Sequence, residues 1–418
     1  MAIANIQPAY ESIEKAGRRP AIFVLSCMVL FWTMFDSIIQ YITPLVISEH
    51  GFSTTMVGLI LGSSSIAGAI FDFFVCRCFT NTNFRRIFLA MFAICFVYPL
   101  ILWGSKTIGA YLFAMVLWGI YFDLYGFGVF DFVSRYTKDT EHASSFGIVQ
   151  IFRALGSMLA PLIVGFVIVA GVDWRAFTLG WFFLTVGLLF FIALLLYVRN
   201  TPAIAGPALA CRRKNFLIEF KLWKKISKKI HPALLLTFFL FFIEAFFWTL
   251  APLYGEHMGL KGFGGLFLAS YTLPALLLGW FVGSLTKKFG KKRTAFFGLL
   301  IGSMILTPLA LLSNPWSVIA LTFFSSLFIS IALPSINGAY ADYISEAPQV
   351  GGEIESVEDF SFNIGYVLGP ICAGLFADLF NISIAFSILG VMGVVVALIL
   401  LKITPKQINI EMAQGDVL

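Results

Sequence analysis

Residues 21–47, AIFVLSCMVLFWTMFDSIIQYITPLVI, form an apolar stretch whose length decides the fold class. An α-helix rises about 1.5 Å per residue, so roughly 20 apolar residues cross a hydrocarbon core of about 30 Å. This stretch exceeds that length and contains one charged side chain, Asp36. Further stretches of the same kind lie at 54–79, 86–104, 108–133, 144–170, 175–198, 232–255, 263–286, 294–312, 316–341, 355–377 and 381–402. The sequence therefore predicts an all-α integral membrane protein with twelve transmembrane helices.

The composition supports many spans and argues against an enzyme. The 418 residues are 59% hydrophobic and only 12% charged, whereas soluble domains average about 25% charged residues. The chain contains no Gly-x-Ser-x-Gly, His-Glu-x-x-His or Walker pattern. Its six cysteines and four histidines show no metal-ligand spacing. We therefore predict no enzymatic activity, no cofactor and no metal site.

The distribution of Lys and Arg predicts the orientation in the membrane. Of the 28 basic residues, only Lys106, Arg175 and Lys261 fall in one set of alternate loops, and Arg153 lies within a span. All the others fall in the opposite set of loops or in the two tails. Because cytoplasmic loops carry the excess of Lys and Arg, both termini are expected in the cytoplasm. The net charge of +6 then reflects contact with anionic lipid, and we expect no nucleic-acid partner.

The longest hydrophilic stretch divides six predicted spans from six. We predict an N-terminal six-helix bundle at 1–200, a basic cytoplasmic linker at 201–231 and a C-terminal six-helix bundle at 232–418. Between Phe216 and Ile230, apolar residues alternate with lysines as in an amphipathic helix lying on the inner leaflet. A solvated tether is the alternative interpretation.

The two halves of the chain repeat each other. A shift of about 208 residues places Asp36 and Pro44 over Glu244 and Pro252. Nearly the same shift superposes two further segments, Gly128–Ser134 on Gly338–Ser345 and Gly156–Gly165 on Gly365–Gly374. Such parallel repeats are related by a pseudo-twofold axis along the membrane normal and enclose a midplane site. We therefore expect two related bundles that alternate access to one site.

Two motifs give the chain a family resemblance. Gly68-Ala-Ile-Phe-Asp72 and the basic turn Gly283–Arg293 resemble the signature that follows spans two and eight in the major facilitator superfamily. Gly156-Ser-Met-Leu-Ala-Pro161 in span five is similar to the glycine-proline motif of that family's antiporters. The chain departs from the family at Asp123, close to the position where the antiporters carry an arginine. The resemblance covers essentially the whole chain and implies transport by alternating access.

The resemblance also suggests residues that control the conformational change. Gly369-Pro370 in span eleven is the second copy of the glycine-proline motif. For the acids near the cytoplasmic ends of spans, the alternative to a role in gating is a purely structural role. The candidates for conformational gating are Asp72, Asp131, Gly156, Pro161, Lys287, Asp342, Asp359, Gly369 and Pro370.

Four ionisable residues, Asp36, Asp123, Arg153 and Glu244, lie deep inside predicted spans. A charge at the bilayer centre costs about 2.5–3.5 kcal/mol, so such side chains usually face a cavity and have a function there. We hypothesise that Asp123 pairs with Arg153 and that Asp36 or Glu244 carries a proton. The alternative is that Asp36 and Glu244 only form hydrogen bonds with neighbouring helices.

These observations predict a secondary active transporter driven by a proton gradient. The leading interpretation is proton-coupled antiport that exports a small amphipathic or cationic compound. A symporter for a sugar, nucleoside or organic anion is the alternative, and a non-transporting receptor or membrane enzyme is a further one. The expected partners are the substrate, protons and the lipid bilayer, and the chain is expected to act as a monomer. The residues expected to line the substrate cavity are Gln40, Phe122, Gln150, Trp248 and Asn363.

Overall fold

The computed structural model describes the backbone of residues 6–78, 83–138, 141–168, 171–199, 216–258 and 263–404, and most side chains from residue 20 onwards. All regular structure within these ranges is helical. The α-helices in chain order are α1 (Ile6–Glu49), α2 (Thr54–Cys78), α3 (Phe84–Gly104), α4 (Ile108–Tyr136), α5 (His142–Val167), α6 (Trp174–Val198), α7 (Phe216–His257), α8 (Gly265–Phe289), α9 (Lys291–Leu306), α10 (Pro315–Glu346), α11 (Gly351–Leu379) and α12 (Ile382–Ile403).

Eleven of these helices are long and apolar enough to cross a membrane, α9 together with the 3₁₀ helix Thr307–Leu311 that continues it. The remaining one, α8, consists of Gly265–Leu278 and Phe281–Phe289, which are inclined by 70° and together make a twelfth span. The prediction of an all-α membrane protein with twelve spans is confirmed. Short polar residues such as Thr107, Asp173 and Asn314 precede several helices, and their side chains accept backbone N–H groups of the first turn.

The seventh span begins earlier than its apolar stretch. Helix α7 starts at Phe216, inside the predicted linker, and continues through Pro232 to His257. Leu222, Ile226 and Ile230 are buried against protein, whereas the lysines between them are mostly exposed. From Leu222 to Ile230, the apolar side of this stretch is therefore covered by the protein itself. Residues 200–215, the first part of the linker, lie outside the described residues.

The chain forms two compact units. Unit 1 comprises Met1–Thr43 and Ala67–Cys211, and unit 2 comprises Pro44–Ile66 and Arg212–Leu418. The boundary between Ile66 and Ala67 divides α2 between the units. Within the apolar part of α1, 78% of the residues are buried, and within that of α7, 72%, against 28–50% in the other unbroken spans. Helices α1 and α7 are therefore the most enclosed of these spans.

The sequence repeat is also present in the packing of the two units. A β-carbon placed on Gly156 of α5 would lie 2.8 Å from the carbonyl oxygen of Leu30 on α1. A β-carbon placed on Gly365 of α11 would lie 2.6 Å from the carbonyl oxygen of Phe238 on α7. Each pair is related to the other by the shift of the sequence repeat. The glycines thus allow the same close helix approach in both units.

Candidate functional site

The carboxylate of Asp36 lies at the centre of a cluster of polar side chains in unit 1. Asp36 is only 5% exposed. Its Oδ1 accepts hydrogen bonds from the hydroxyl of Tyr121, at 2.7 Å, and from Nε1 of Trp118, at 3.3 Å. Both donors belong to α4, whereas Asp36 belongs to α1. Because hydrogen bonds to a charged acceptor are strong when water is excluded, these donors fix the position of the carboxylate.

Aromatic rings enclose this carboxylate. The ring of Tyr121 lies edge-on to the rings of Trp32 and Tyr98, at centroid distances of 6.3 and 5.6 Å. The hydroxyl of Tyr98 lies 3.5 Å from Oγ1 of Thr43. All four of these residues are fully buried. Asp36 therefore occupies a mainly apolar pocket, in which the polar groups are a few hydroxyl groups and an indole N–H.

Arg153 of α5 lies on the aromatic face of α4. Its guanidinium carbon is 5.3 Å from the ring centroid of Phe122 and 5.6 Å from that of Tyr125, within the range of a cation–π interaction. The ring of Tyr125 stacks in turn on Trp32, at 4.0 Å. Arg153 is also close enough to Asp36 for the two charges to interact. Unit 1 thus contains its own cation near the buried acid.

Asp123 lies beside Gly68. A β-carbon placed on Gly68 of α2 would be 2.8 Å from Oδ2 of Asp123, so the glycine leaves space for that carboxylate. Gly68 is the first residue of the signature motif, and this contact gives the glycine a specific structural role. The pairing of Asp123 with Arg153 stays a prediction.

Glu244, the counterpart of Asp36 in unit 2, has different surroundings. Its side chain is partly exposed on α7 and close enough to Tyr271 of α8 for an electrostatic interaction. The ring of Tyr271 stacks on Phe247 at 4.0 Å. On the α11 side, the ring of Phe241 contacts Phe362 at a centroid distance of 4.4 Å. The second acid therefore lies near Tyr271 and is more accessible than the first.

The residues predicted to line a substrate cavity lie in both units. In unit 1, Gln40 is half-buried, Gln150 is exposed, and Phe122 lies under Arg153. In unit 2, Trp248 is buried, and Asn363 donates a 3.1 Å hydrogen bond to the carbonyl oxygen of Asp359. The described contacts thus connect Phe122 to Asp36 through Arg153, which interacts with both. The assignment of these five residues to one cavity stays a prediction.

Among the predicted gating residues, two acids hold the starts of neighbouring helices. Asp131 of α4 is fully buried and accepts 2.8 Å hydrogen bonds from the backbone N–H of Phe84, the first residue of α3, and from Arg135. Asp342 of α10 pairs at 2.6 Å with Lys291, the first residue of α9. These are equivalent positions of the repeat. The contacts favour the structural alternative for both acids.

The remaining gating candidates have simpler surroundings. Lys287 and Asp359 are exposed, Asp72 is partly exposed, and Pro161 is buried. In unit 2, a β-carbon on Gly369 would lie 2.7 Å from the carbonyl oxygen of Phe242, so this glycine also serves close packing of α11 on α7. Whether these residues control gating stays a prediction.

One acid of unit 2 that the sequence pattern did not single out makes two hydrogen bonds with backbone N–H groups. The carboxylate of Asp378, near the end of α11, accepts the backbone N–H groups of Thr54 and Thr55, at 3.0 and 2.7 Å, and so caps the start of α2. Gly58 of α2 lies directly against the carbonyl oxygen of Pro370. A signal was present, because an acid in the last turn of a helix is opposed by the helix dipole and needs compensation elsewhere.

Comparison with known proteins identifies the nature of this fold. The family model described as Major Facilitator Superfamily matches residues 21–354 and 264–411. An uncharacterized MFS-type transporter of Methanocaldococcus jannaschii is 22% identical over 176 residues, and this match spans 42% of the chain and less than half (45%) of that relative.

Solved structures of transporters match over nearly the whole chain. The nucleoside transporter NupG superposes with a TM-score of 0.67 at 12% identity, covering 91% of this chain and 98% of NupG. A peptide transporter, POT, in complex with sulfate gives 0.70 at 15% identity, covering 93% and 95%. A bacterial homolog of the human lysosomal transporter Spinster gives 0.68 at 15% identity, covering 92% and 95%. At these identities the likeness establishes the fold alone.

Proposed function

The chain belongs to the Major Facilitator Superfamily, whose members are secondary transporters, and on this premise we propose that it is a proton-coupled antiporter exporting a small organic compound. The observation that carries the proposal is the hydrogen-bonded carboxylate of Asp36 inside an enclosed span. An ionisable group inside a membrane span costs free energy, and such a group is usually present because it has a function.

The surroundings of Asp36 suit a group that binds and releases a proton. The donors Tyr121 and Trp118 stabilise the charged carboxylate, whereas the apolar rings around it favour the neutral acid. Arg153 adds a positive charge that can respond to the protonation of Asp36. Small displacements of these side chains therefore shift the balance between the ionised and the protonated carboxyl group of Asp36. We assign the proton to Asp36 and not to Glu244 because Asp36 is the more deeply buried of the two acids.

The test measures proton movement in proteoliposomes. Purified protein is reconstituted with a pH-sensitive dye inside the vesicles, and the cation ethidium or the nucleoside uridine is added outside. Antiport predicts proton movement opposite to ethidium, and this movement should be lost in Asp36→Asn. A matched control is Asp173→Asn, since Asp173 is an exposed acid at the start of α6.

Three results would contradict the proposal. Proton movement in the same direction as uridine would favour the symporter alternative. The same pH dependence in the wild type and in Asp36→Asn would exclude Asp36 as the proton carrier. Transport of either compound without any proton movement would exclude proton coupling.

A further inference from the structure

The end of α11 holds the start of α2 by a charged contact between the two helices. The carboxylate of Asp378 accepts the backbone N–H groups of Thr54 and Thr55, at 3.0 and 2.7 Å. The first N–H groups of a helix have no partner within that helix and carry the positive end of its dipole, so a carboxylate binds them strongly. The contact therefore fixes the start of α2 against α11.

Two glycines of α2 bring its backbone close to α11 beyond this contact. A β-carbon placed on Gly58 would collide with the carbonyl oxygen of Pro370, and one placed on Gly62 would lie 2.7 Å from the carbonyl oxygen of Val367. Small residues allow helix backbones to approach in this way. Together with the Asp378 contact, these close approaches form the α2–α11 junction.

Helix α2 belongs to both compact units. Its residues up to Ile66 belong to unit 2 together with α11, and its residues from Ala67 onwards belong to unit 1. Gly68, in the second part, leaves space for Asp123 of α4. One continuous helix is thus in close contact with both units. A movement of α2 together with unit 1 therefore has to break the α2–α11 junction.

The Asp378 contact can break and form again at a low cost in free energy. Its hydrogen bonds lie at the exposed surface. When the helices separate, water replaces the carboxylate at the two N–H groups and hydrates the carboxylate itself. A fully buried carboxylate such as that of Asp131 would have no such replacement. The contact is therefore suited to repeated opening.

The sequence repeat does not supply a second carboxylate at the equivalent position. A shift of 209 residues places Val169 at the position of Asp378. A valine side chain accepts no hydrogen bond and cannot cap a helix. The acid is therefore a feature of one half of the chain and not of the architecture that both halves share.

The start of α2 and the end of α11 are each one transmembrane span away from a terminus, so both lie on the face opposite to the termini. With the termini expected in the cytoplasm, this is the outer face. We propose that the α2–α11 junction is an outer gate and that Asp378 is the residue that holds it closed. This inference rests on the alternating access that the proposed function requires, but not on the coupling ion or the transported compound.

The test measures the distance between α2 and α11 in the full-length protein in lipid nanodiscs, without substrate or gradient. The six native cysteines are replaced by alanine, and spin labels are attached after the substitutions Leu59→Cys and Leu379→Cys at two exposed positions. Pulsed electron paramagnetic resonance gives the populations with short and long distances. Asp378→Ala should raise the long-distance population by about fivefold or more, because two hydrogen bonds to a charged acceptor are lost.

A second variant changes the junction without removing the charge. Gly62→Ala adds a methyl group 2.7 Å from the carbonyl oxygen of Val367, so α2 has to move away from α11 and the long-distance population should again rise. Two controls should keep the distances of the labelled parent protein. Asp173→Ala removes an acid that caps α6, and Gly109→Ala adds a methyl group with no atom within 4 Å.

The proposal is overturned if either Asp378→Ala or Gly62→Ala keeps the distance distribution of the parent, or if Asp173→Ala shifts it equally. Asp378→Asn, which retains the size of the side chain, takes the place of the alanine variant if that variant does not fold. An Asp378-dependent distance in a protein that moves no protons would refute the proposed antiport alone. Proton-coupled transport with unchanged distances in Asp378→Ala would refute the gate alone.

Discussion

The hydroxyl of Tyr121 donates a 2.7 Å hydrogen bond to Oδ1 of Asp36 and so joins α4 to α1. Tyr121→Phe removes a donor that stabilises the charged carboxylate, so Asp36 should take up its proton more readily. We expect the pH profile of transport to move toward higher pH by roughly one pH unit, the size of one such hydrogen bond. The measurement is proton flux in proteoliposomes across a range from acidic to alkaline pH.

Tyr98→Phe is the matched control for that substitution. Tyr98 is equally buried and contacts the Tyr121 ring, but its hydroxyl lies near Thr43. Its removal should leave the profile unchanged. Superimposable profiles for Tyr121→Phe and the wild type would show that this hydrogen bond has no part in proton binding.

Gly68→Ala tests the space reserved for Asp123. The added methyl group would lie 2.8 Å from Oδ2 of Asp123, so the carboxylate has to move. We expect transport to fall by about tenfold, because small displacements of a functional group are costly, with a change in stability of about 1 kcal/mol or less. Gly126→Ala on α4 is the control, since no atom lies within 4 Å of its added methyl group. Equal transport by both variants would contradict a functional position of Asp123.

Asp131→Ala and Asp342→Ala test the two equivalent acids at the helix starts. Asp131 is fully buried, and its removal leaves the N–H of Phe84 and the charge of Arg135 without this acceptor. For Asp131→Ala, we expect the free energy of unfolding to fall by about 2–4 kcal/mol. The pair of Asp342 and Lys291 is largely exposed, so its loss should cost less than about 1 kcal/mol. Thermal unfolding in detergent compares the variants, and an equal fall in Tm would be inconsistent with this difference in burial.

Asp378→Ala tests the cap on α2. Two backbone N–H groups lose a charged acceptor, and we expect destabilisation by about 1–2 kcal/mol. Asp173→Ala removes a cap of one N–H group on the exposed start of α6 and should have a smaller effect. The midpoint of thermal unfolding in detergent provides the comparison. A larger fall in Tm for Asp173→Ala would show that the Asp378 cap is not important for stability.

Much of the fold was predictable because its signals are local. Twenty-residue apolar stretches, loop charges and the repeat appear directly in the sequence, and the repeat alone paired Asp36 with Glu244. Hydropathy did not mark the starts of α1 and α7, because both helices extend into polar sequence, although the amphipathic pattern from Phe216 to Ile230 did indicate a helix at the start of α7. Hydropathy marks the membrane-spanning segment of a helix and does not mark the residues at which the helix begins or ends.

The partners of the site residues were largely out of reach. Tyr121 and Trp118 lie 85 and 82 residues from Asp36, and their hydrogen bonds depend on how α4 is rotated toward α1. The repeat could not reveal this rotation, because it fixes equivalence between halves and not contacts within one half. The shift of 209 residues places Phe362 at the position of Arg153, and both side chains lie against aromatic rings.

The cap of Asp378 on Thr54 also dictates an order of events during biosynthesis. The two residues are separated by 324 positions, so the ribosome completes nearly the whole polypeptide before this acceptor exists. Until α11 enters the bilayer, the first turn of α2 relies on temporary partners such as water or lipid headgroups. Insertion of the eleventh span is therefore the step at which the second helix acquires its final hydrogen bonds, and nascent chains truncated before it should remain more sensitive to proteases at this turn.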